Sequence, residues 1–228
     1  MHEDVNTLII DLRKTDAYKE AHLTGSVNSW RSEYVDTSML YGGVMPTKEQ
    51  FRAILSNLGV NSNDKLVLYD NRGGCESARF WWILKAYGHS SAYIVDGGFD
   101  ALVEFGFPVS DDLLEVVPSI YEFPEEENLI LFASLSDVKN ALGDTNVVLL
   151  DTRSVEEYIG KKQKEGAFRA GRIPGSILND WINCVNYKEG KSIKSIKDLA
   201  YDFNQLGITK DKKVIVYCQS GVRSAHTT

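Results

Sequence analysis

Cysteine is scarce in this chain and badly spaced for cross-linking. The three cysteines, Cys75, Cys184 and Cys218, are an odd count scattered over 228 residues. That argues against a disulfide framework and for a reducing compartment, hence a cytoplasmic protein. Histidine is scarce too, and no Cys/His cluster has the spacing of a zinc site. Positive charge is in deficit: the formal net charge is −7, and no basic stripe is visible to neutralise phosphates, which argues against a nucleic-acid partner. Long apolar runs are missing. Val147 to Leu150 is far too short to cross a bilayer, and the opening MHEDVNTLIID lacks the basic and apolar regions of a signal peptide, so no membrane partner is expected. What is present is an ordinary globular composition, 43% hydrophobic and 25% charged, with length for one large domain or two modest ones.

The chain repeats itself. LGVNSNDKLVLYDNRGG, from Leu58, aligns without a gap on LGITKDKKVIVYCQSG, from Leu206, so that Tyr69 matches Tyr217 and Asp70 matches Cys218. TLIIDLRKTDAY, ending at Tyr18, matches VVLLDTRSVEEY, ending at Tyr158, and HLTGSV from His22 matches RIPGSI from Arg172. Three collinear matches indicate two copies of one domain. The stretch Asp111 to Asn128, with Pro118, Pro124 and the acidic Glu125, Glu126 and Glu127, reads as a linker laid over the surface. The expected division is a first domain over 1–110, a linker over 111–127 and a second domain over 128–228. Relative to its own repeat the chain is expected to be clipped at both ends, with the second domain incomplete at its C-terminus.

Short apolar runs alternating with helical patterns give an α/β reading with mainly parallel sheets. Strands are expected at Leu8–Asp11, Lys65–Tyr69, Ser91–Val95, Leu129–Ala133 and Val147–Asp151. Helices are expected from Thr15 or Asp16, from Thr47 with Gln50 completing a capping box, over Ser77–Tyr87, over Phe99–Glu104, from Ser136 through Leu142, and near Ser224.

These residues resemble the tandem-domain rhodaneses, the family of thiosulfate sulfurtransferase and 3-mercaptopyruvate sulfurtransferase. The resemblance is carried by YKEAHLTGSV (Tyr18 to Val27), by VDGGFDALVEFG (Val95 to Gly106) and by the cysteine loop CQSGVR (Cys218 to Arg223). DNRGGCESARFWW is similar to the family's inactive first-domain loop, with Asp70 in the nucleophile's place. The resemblance implies two rhodanese-like domains, each a mainly parallel central sheet flanked by helices, the first catalytically silent. It implies a sulfurtransferase that moves the sulfane sulfur of thiosulfate to a thiophilic acceptor, cyanide or a thiol, through a persulfide on Cys218. No metal or organic cofactor is implied. Arg172 stands where the family has His, and Pro174 where some members carry a substrate-binding Arg, so residue 174 cannot inherit that role.

The physical case for Cys218 is independent of the resemblance. Val214 to Tyr217 delivers it to the carboxyl end of a strand, where open α/β sheets bind ligands. Gly221 permits a tight loop, and loop amides with the start of a helix favour a thiolate. Cys218 is therefore the candidate nucleophile, and Gln219, Ser220, Gly221, Val222 and Arg223 are the candidate substrate-binding loop. Arg172 has two readings, a cleft residue that binds the substrate anion or a partner for a carboxylate such as Asp180. Cys75 and Cys184 read as small packed thiols, Asp151 and Arg153 as structural because they recur as Asp11 and Arg13, and His22 as a satisfied structural histidine. His226 is assigned no chemistry.

Three rivals remain. A phosphatase of the same fold would use Cys-x5-Arg, whereas Cys218 to Arg223 is one residue shorter and Tyr217 replaces the usual preceding His. A non-enzymatic sulfur-relay or scaffold module would use Cys218 to hand sulfur to a protein. Finally, CQSGVR is neutral at its second and third positions and basic at its sixth, so 3-mercaptopyruvate stays open beside the preferred thiosulfate. The expected partners are a small-molecule sulfur donor and a thiophilic acceptor.

Overall fold

The computed structural model describes residues 6–38, 42–124 and 131–228. Its first half is built on a sheet of four parallel strands in the order β3-β1-β4-β5, where β1 is Thr7–Asp11, β3 Val27–Asn28, β4 Lys65–Tyr69 and β5 Ala92–Ile94. The apolar run of β1 is buried because strands pair on both of its edges and helices cover the sheet. Helices α1 (Thr15–Glu20), α2 (Lys48–Asn57), α3 (Cys75–Ala86) and α4 (Gly98–Glu104) connect the strands. Thr47 starts α2 as read from the sequence: its hydroxyl accepts from Gln50 N at 3.2 Å, and Gln50 Oε1 accepts from Thr47 N at 2.8 Å. Phe51 and Leu55 on α2 meet Ile10, Leu66, Leu68, Phe80 and Leu84 in one core. A short antiparallel pair, β2 (His22–Leu23) with β6 (Val109–Ser110), closes this half.

The second half repeats the scheme. Its sheet runs β11-β7-β8, all parallel, where β7 is Val147–Asp151, β8 Ile177–Leu178 and β11 Lys213–Tyr217. The register is conserved between copies: Asp11 pairs with Tyr69 as Asp151 pairs with Tyr217. Helices α5 (Leu135–Ala141), α6 (Val155–Tyr158), α7 (Ile196–Gln205) and α8 (Val222–Thr227) accompany it, with a hairpin of β9 (Val185–Asn186) and β10 (Ser192–Ile193).

Four expectations need correction. Helix α3 begins at Cys75 rather than Ser77, and α8 at Val222 rather than near Ser224. Helix α5 is capped by Ser134, not Ser136, because Ser134 has Asp137 at the position that completes a capping box. Of the strand expected at Leu129–Ala133, residues 129 and 130 lie outside the described residues and 131–133 form no strand. The segment read as a surface linker is partly anchored. Tyr121 is buried, its hydroxyl lies 2.8 Å from His89 Nδ1, and Ser119 N donates to Ser56 O at 2.9 Å. The cluster Glu125 to Glu127 lies outside the described residues.

The halves meet through α3 and α8, the helices that follow the two repeated loops. Cys75, Trp181, Val185 and Val222 form a small apolar cluster at this joint. The hairpin adds polar ties: Ile193 N donates to Asp96 Oδ1 at 2.7 Å, and Lys191 Nζ lies 2.5 Å from Asp100 Oδ2.

Candidate active site

Strand β11 ends at Tyr217, and Cys218 follows it directly. Gly221, at φ +74°, turns the chain into α8, a conformation that glycine adopts without penalty. The turn brings Ser224 back over the cysteine: its N–H donates to Sγ at 3.4 Å, and its Oγ lies 3.5 Å from Sγ. Cys218 is half-buried. Burial alone would raise its thiol pKa. Donation from the Ser224 hydroxyl and amide and from the Ser220 amide, with the positive charge of Arg223, outweighs burial and leaves the pKa below the usual thiol value.

The first half holds the same loop with its anion already in place. Asp70 Oδ1 accepts from Arg72 N at 2.7 Å and Gly74 N at 3.0 Å, and Oδ2 accepts from Glu76 N and Ser77 N, both at 2.9 Å. Gly73 has φ +67°, matching Gly221. In the alignment Glu76 corresponds to Ser224 and Arg72 to Ser220, the two residues whose amides face Cys218. In the first half the backbone of this loop is thus a ring of N–H groups aimed at the side chain that opens it; in the second, the amides of Ser220 and Ser224 face the sulfur. An aspartate there fills the ring with its own carboxylate; a cysteine presents one sulfur atom to it.

Other paired features explain why the loop sits where it does. Arg13 makes a bidentate contact with Asp11 and donates to Ala21 O at 2.6 Å; Arg153 does the same with Asp151 and donates to Gly171 O at 2.7 Å. The Tyr217 hydroxyl lies 2.9 Å from Ser176 Oγ and accepts from Ile173 N at 3.2 Å, as Tyr69 does with Ser26 and Leu23. These contacts fasten each strand end to the turn beside it.

A cavity of about 660 Å³ opens between the halves in front of the loop. Gln219, Ser220, Val222 and Arg223 line it on one side, with Lys164 and Trp181; Trp30, Arg31, Arg72 and Cys75 of the first half line the other. Gly221 turns away from it, toward a second cavity that also touches Arg79. Arg223 reaches the first of these cavities but is engaged by Glu157, with Nη1–Oε2 at 2.6 Å and Nη2–Oε1 at 3.0 Å. Burial would raise the Glu157 carboxyl, but this bidentate pair outweighs it and holds the pKa at about 2. Arg172 makes no ion pair with Asp180 and is not among the residues lining this cavity. It stacks on the Tyr158 ring with Cζ 4.3 Å from the centroid, and its Nη1 lies 3.5 Å from Tyr158 O. His22 in the first half lies likewise on Tyr18, its ring 3.9 Å away and Nδ1 2.8 Å from Tyr18 O, but His22 is buried and Arg172 exposed.

Burial pushes the Cys75 thiol up, well away from the thiolate form, and raises the Cys184 thiol as well. Among the described residues no group of three or more His, Cys, Asp and Glu side chains is placed to hold a metal ion. None of their helices is long and apolar enough to cross a membrane. The sequence reading missed Glu157, although the Ser154 capping box that includes it was visible as Ser-x-x-Glu. It also missed Arg31, Arg72 and Arg79, which no local pattern marks.

A profile of the rhodanese-like domain matches this chain twice, over residues 1–104 and 134–228. The sulfur carrier protein TtuD of Thermus thermophilus is 30% identical over 223 residues, covering 92% of this chain and 75% of the relative. A Haloferax volcanii protein named "Putative thiosulfate sulfurtransferase" is 31% identical over 223 residues, covering 92% of this chain and 73% of that one. An anaerobic ergothioneine biosynthesis enzyme from Chlorobium limicola shares the fold, with a TM-score of 0.84 at 20% identity over 99% of this chain, which spans 58% of that enzyme's length. The profile covers both halves and the relatives most of the chain; the protein is a member of the rhodanese family, with two rhodanese-like domains and kinship to sulfurtransferases and sulfur carriers.

Proposed function

We propose that the protein is a thiosulfate sulfurtransferase whose nucleophile is Cys218. One observation carries the reading: Cys218 opens a loop whose twin, around Asp70, directs four backbone N–H groups onto an anionic side chain. A thiolate at that position is stabilised by two of the corresponding amides, those of Ser220 and Ser224. It attacks the outer sulfur of thiosulfate, a new S–S bond forms, the S–S bond of the donor breaks, and sulfite leaves with the electron pair. The loop amides and the Ser224 hydroxyl then face the terminal sulfur of the persulfide, where negative charge collects. A thiolate or cyanide acceptor takes that sulfur, and Cys218 returns to its thiolate. Gln219, Ser220, Val222 and Arg223 form one wall of the donor's cavity; Arg31, Arg72 and Lys164 bring positive charge to it, partly offset by Glu165 in the lining and by Glu76, which pairs with both arginines.

The test incubates the full chain with thiosulfate and measures sulfite release together with the mass of the Cys218 peptide. Added sulfur on Cys218 and sulfite release, both absent in Cys218→Ser, are expected. Sulfur gained from 3-mercaptopyruvate but not from thiosulfate would reassign the donor. A persulfide that forms once, and passes only to a protein acceptor, would make the chain a relay rather than an enzyme for small acceptors. No sulfur on Cys218 from either donor would overturn the proposal.

A further inference from the structure

Arg79 lies on α3 of the first domain and is 6% exposed. A buried guanidinium needs both hydrogen bonds and a counter-charge. Its Nη2 donates to Gly43 O at 3.3 Å, a neutral acceptor, and Trp82 flanks Cζ at 5.3 Å from the ring centroid. No ion pair among the described residues includes it. The guanidinium presses instead against the second domain's loop. A Cβ built on Gly221 would come within 2.6 Å of Nη1 and 3.0 Å of Cζ. Gly221 therefore lacks a side chain for two reasons, its positive φ and the cation seated against it.

We infer that Arg79 is a positioning residue for Cys218, supplying from the silent domain the surface on which the loop at Gly221 rests and, beside Arg223, a second positive charge near the thiolate. The inference rests on the reading of Cys218 as the sulfur nucleophile. The other charged and titratable groups around the two residues do not replace Arg79. Arg223 also lowers the Cys218 thiol pKa, but it does so from within a bidentate pair with Glu157, and Cys75 is held as a thiol. Tyr34 and Tyr87 face Arg79 with phenols, and Arg31 repels it. Burial draws the Arg79 pKa down, and the largest attraction opposing that draw is the charge of Cys218. The arrangement also gives the first domain, which lacks a nucleophile, a part in the chemistry.

The experiment needs no sulfur donor. The rate of iodoacetamide alkylation of the Cys218 peptide is followed against pH in the full chain and in Arg79→Met, Arg79→Gln and Arg79→Lys. With the cation gone, the alkylation midpoint is expected to rise by about one pH unit, so that reaction below the midpoint slows about tenfold. Arg79→Lys should recover most of the shift. A structural role alone would lower the melting temperature without moving the midpoint. Folded Met and Gln variants with the wild-type midpoint would overturn the inference, as would failure of both to fold, which would make Arg79 a packing residue. The outcome is separable from that of the proposed activity: a midpoint that moves in a protein that takes no sulfur from thiosulfate would keep Arg79's role and discard the donor.

Discussion

Ser224 meets Cys218 Sγ twice, with its amide at 3.4 Å and its hydroxyl oxygen at 3.5 Å. The amide belongs to the backbone and survives substitution; the hydroxyl does not. Ser224→Ala therefore separates the two. A hydrogen bond to a charged acceptor is worth about 1.5–3 kcal/mol, and the long sulfur contact sits at the lower end. The alkylation midpoint of Cys218 is expected to rise by about one pH unit in Ser224→Ala, with sulfur transfer near neutral pH falling several-fold. An unchanged midpoint would show that the hydroxyl adds nothing to what the amides and the nearby positive charge supply.

The Glu157–Arg223 pair ties stability to acid. The carboxyl is held at about 2 in the folded chain, against a usual value of 4.5. A folded pKa below the unfolded one contributes stability that is present above the unfolded value and lost as pH falls through the folded one. Stability in urea should therefore decline from about pH 4.5 toward pH 2, with this pair accounting for roughly 2–3 kcal/mol of the loss. Glu157→Gln should flatten that part of the profile. It should also free Arg223 toward the cavity, so binding of thiosulfate would change while the fold remains.

Asp70 makes the opposite kind of statement about the loop of the first half. Its carboxylate receives four N–H groups while 1% exposed. Asp70→Ala would leave those donors facing a void, at a cost on the order of 2–4 kcal/mol in urea denaturation. Asp70→Asn should cost less, because one oxygen remains to accept.

His226 contributes a second pH dependence, at the joint between the domains. Its Nε2 lies 2.9 Å from Gly73 O, and its ring packs edge-on to Trp181 at 5.1 Å. Burial lowers its pKa below the usual 6.5, more than the Gly73 carbonyl and Asp70 raise it. The neutral ring is the folded form, so stability is complete above pH 6.5 and declines below it. The fall in melting temperature between pH 7 and pH 5.5 should be smaller in His226→Gln. An equal fall in both proteins would place the titration elsewhere.

The parts of this structure legible in the sequence are those set by neighbours in the chain. TLIID and VVLLD are buried parallel strands, and Thr47 with Gln50 fixes the start of α2. Where two similar residues competed, reciprocity decided: Ser134 finds Asp137 three positions on, whereas Ser136 finds Lys139. Helix α3 starts early because Asp70, several residues upstream, satisfies the amides of Glu76 and Ser77. The alignment of Arg172 with His22 carries the one contact the two share, each lying on a tyrosine ring, but not the difference in burial between them. Arg31, Arg72 and Arg79 reach the second loop only once two sheets have docked, and docking leaves no periodic mark in a sequence.

The joint is reciprocal in a way that bears on how the molecule can be divided. His226, on the second domain's helix, rests on the loop glycine of the first; Arg79, on the first domain's helix, rests on the loop glycine of the second. Neither half is a spare part. A second domain expressed alone would carry its nucleophile on an unbraced turn beside an uncovered apolar patch at Val222 and Trp181. The two halves brace each other's loops, so a substitution deep in the first is expected to reach the loop of Cys218 in the second.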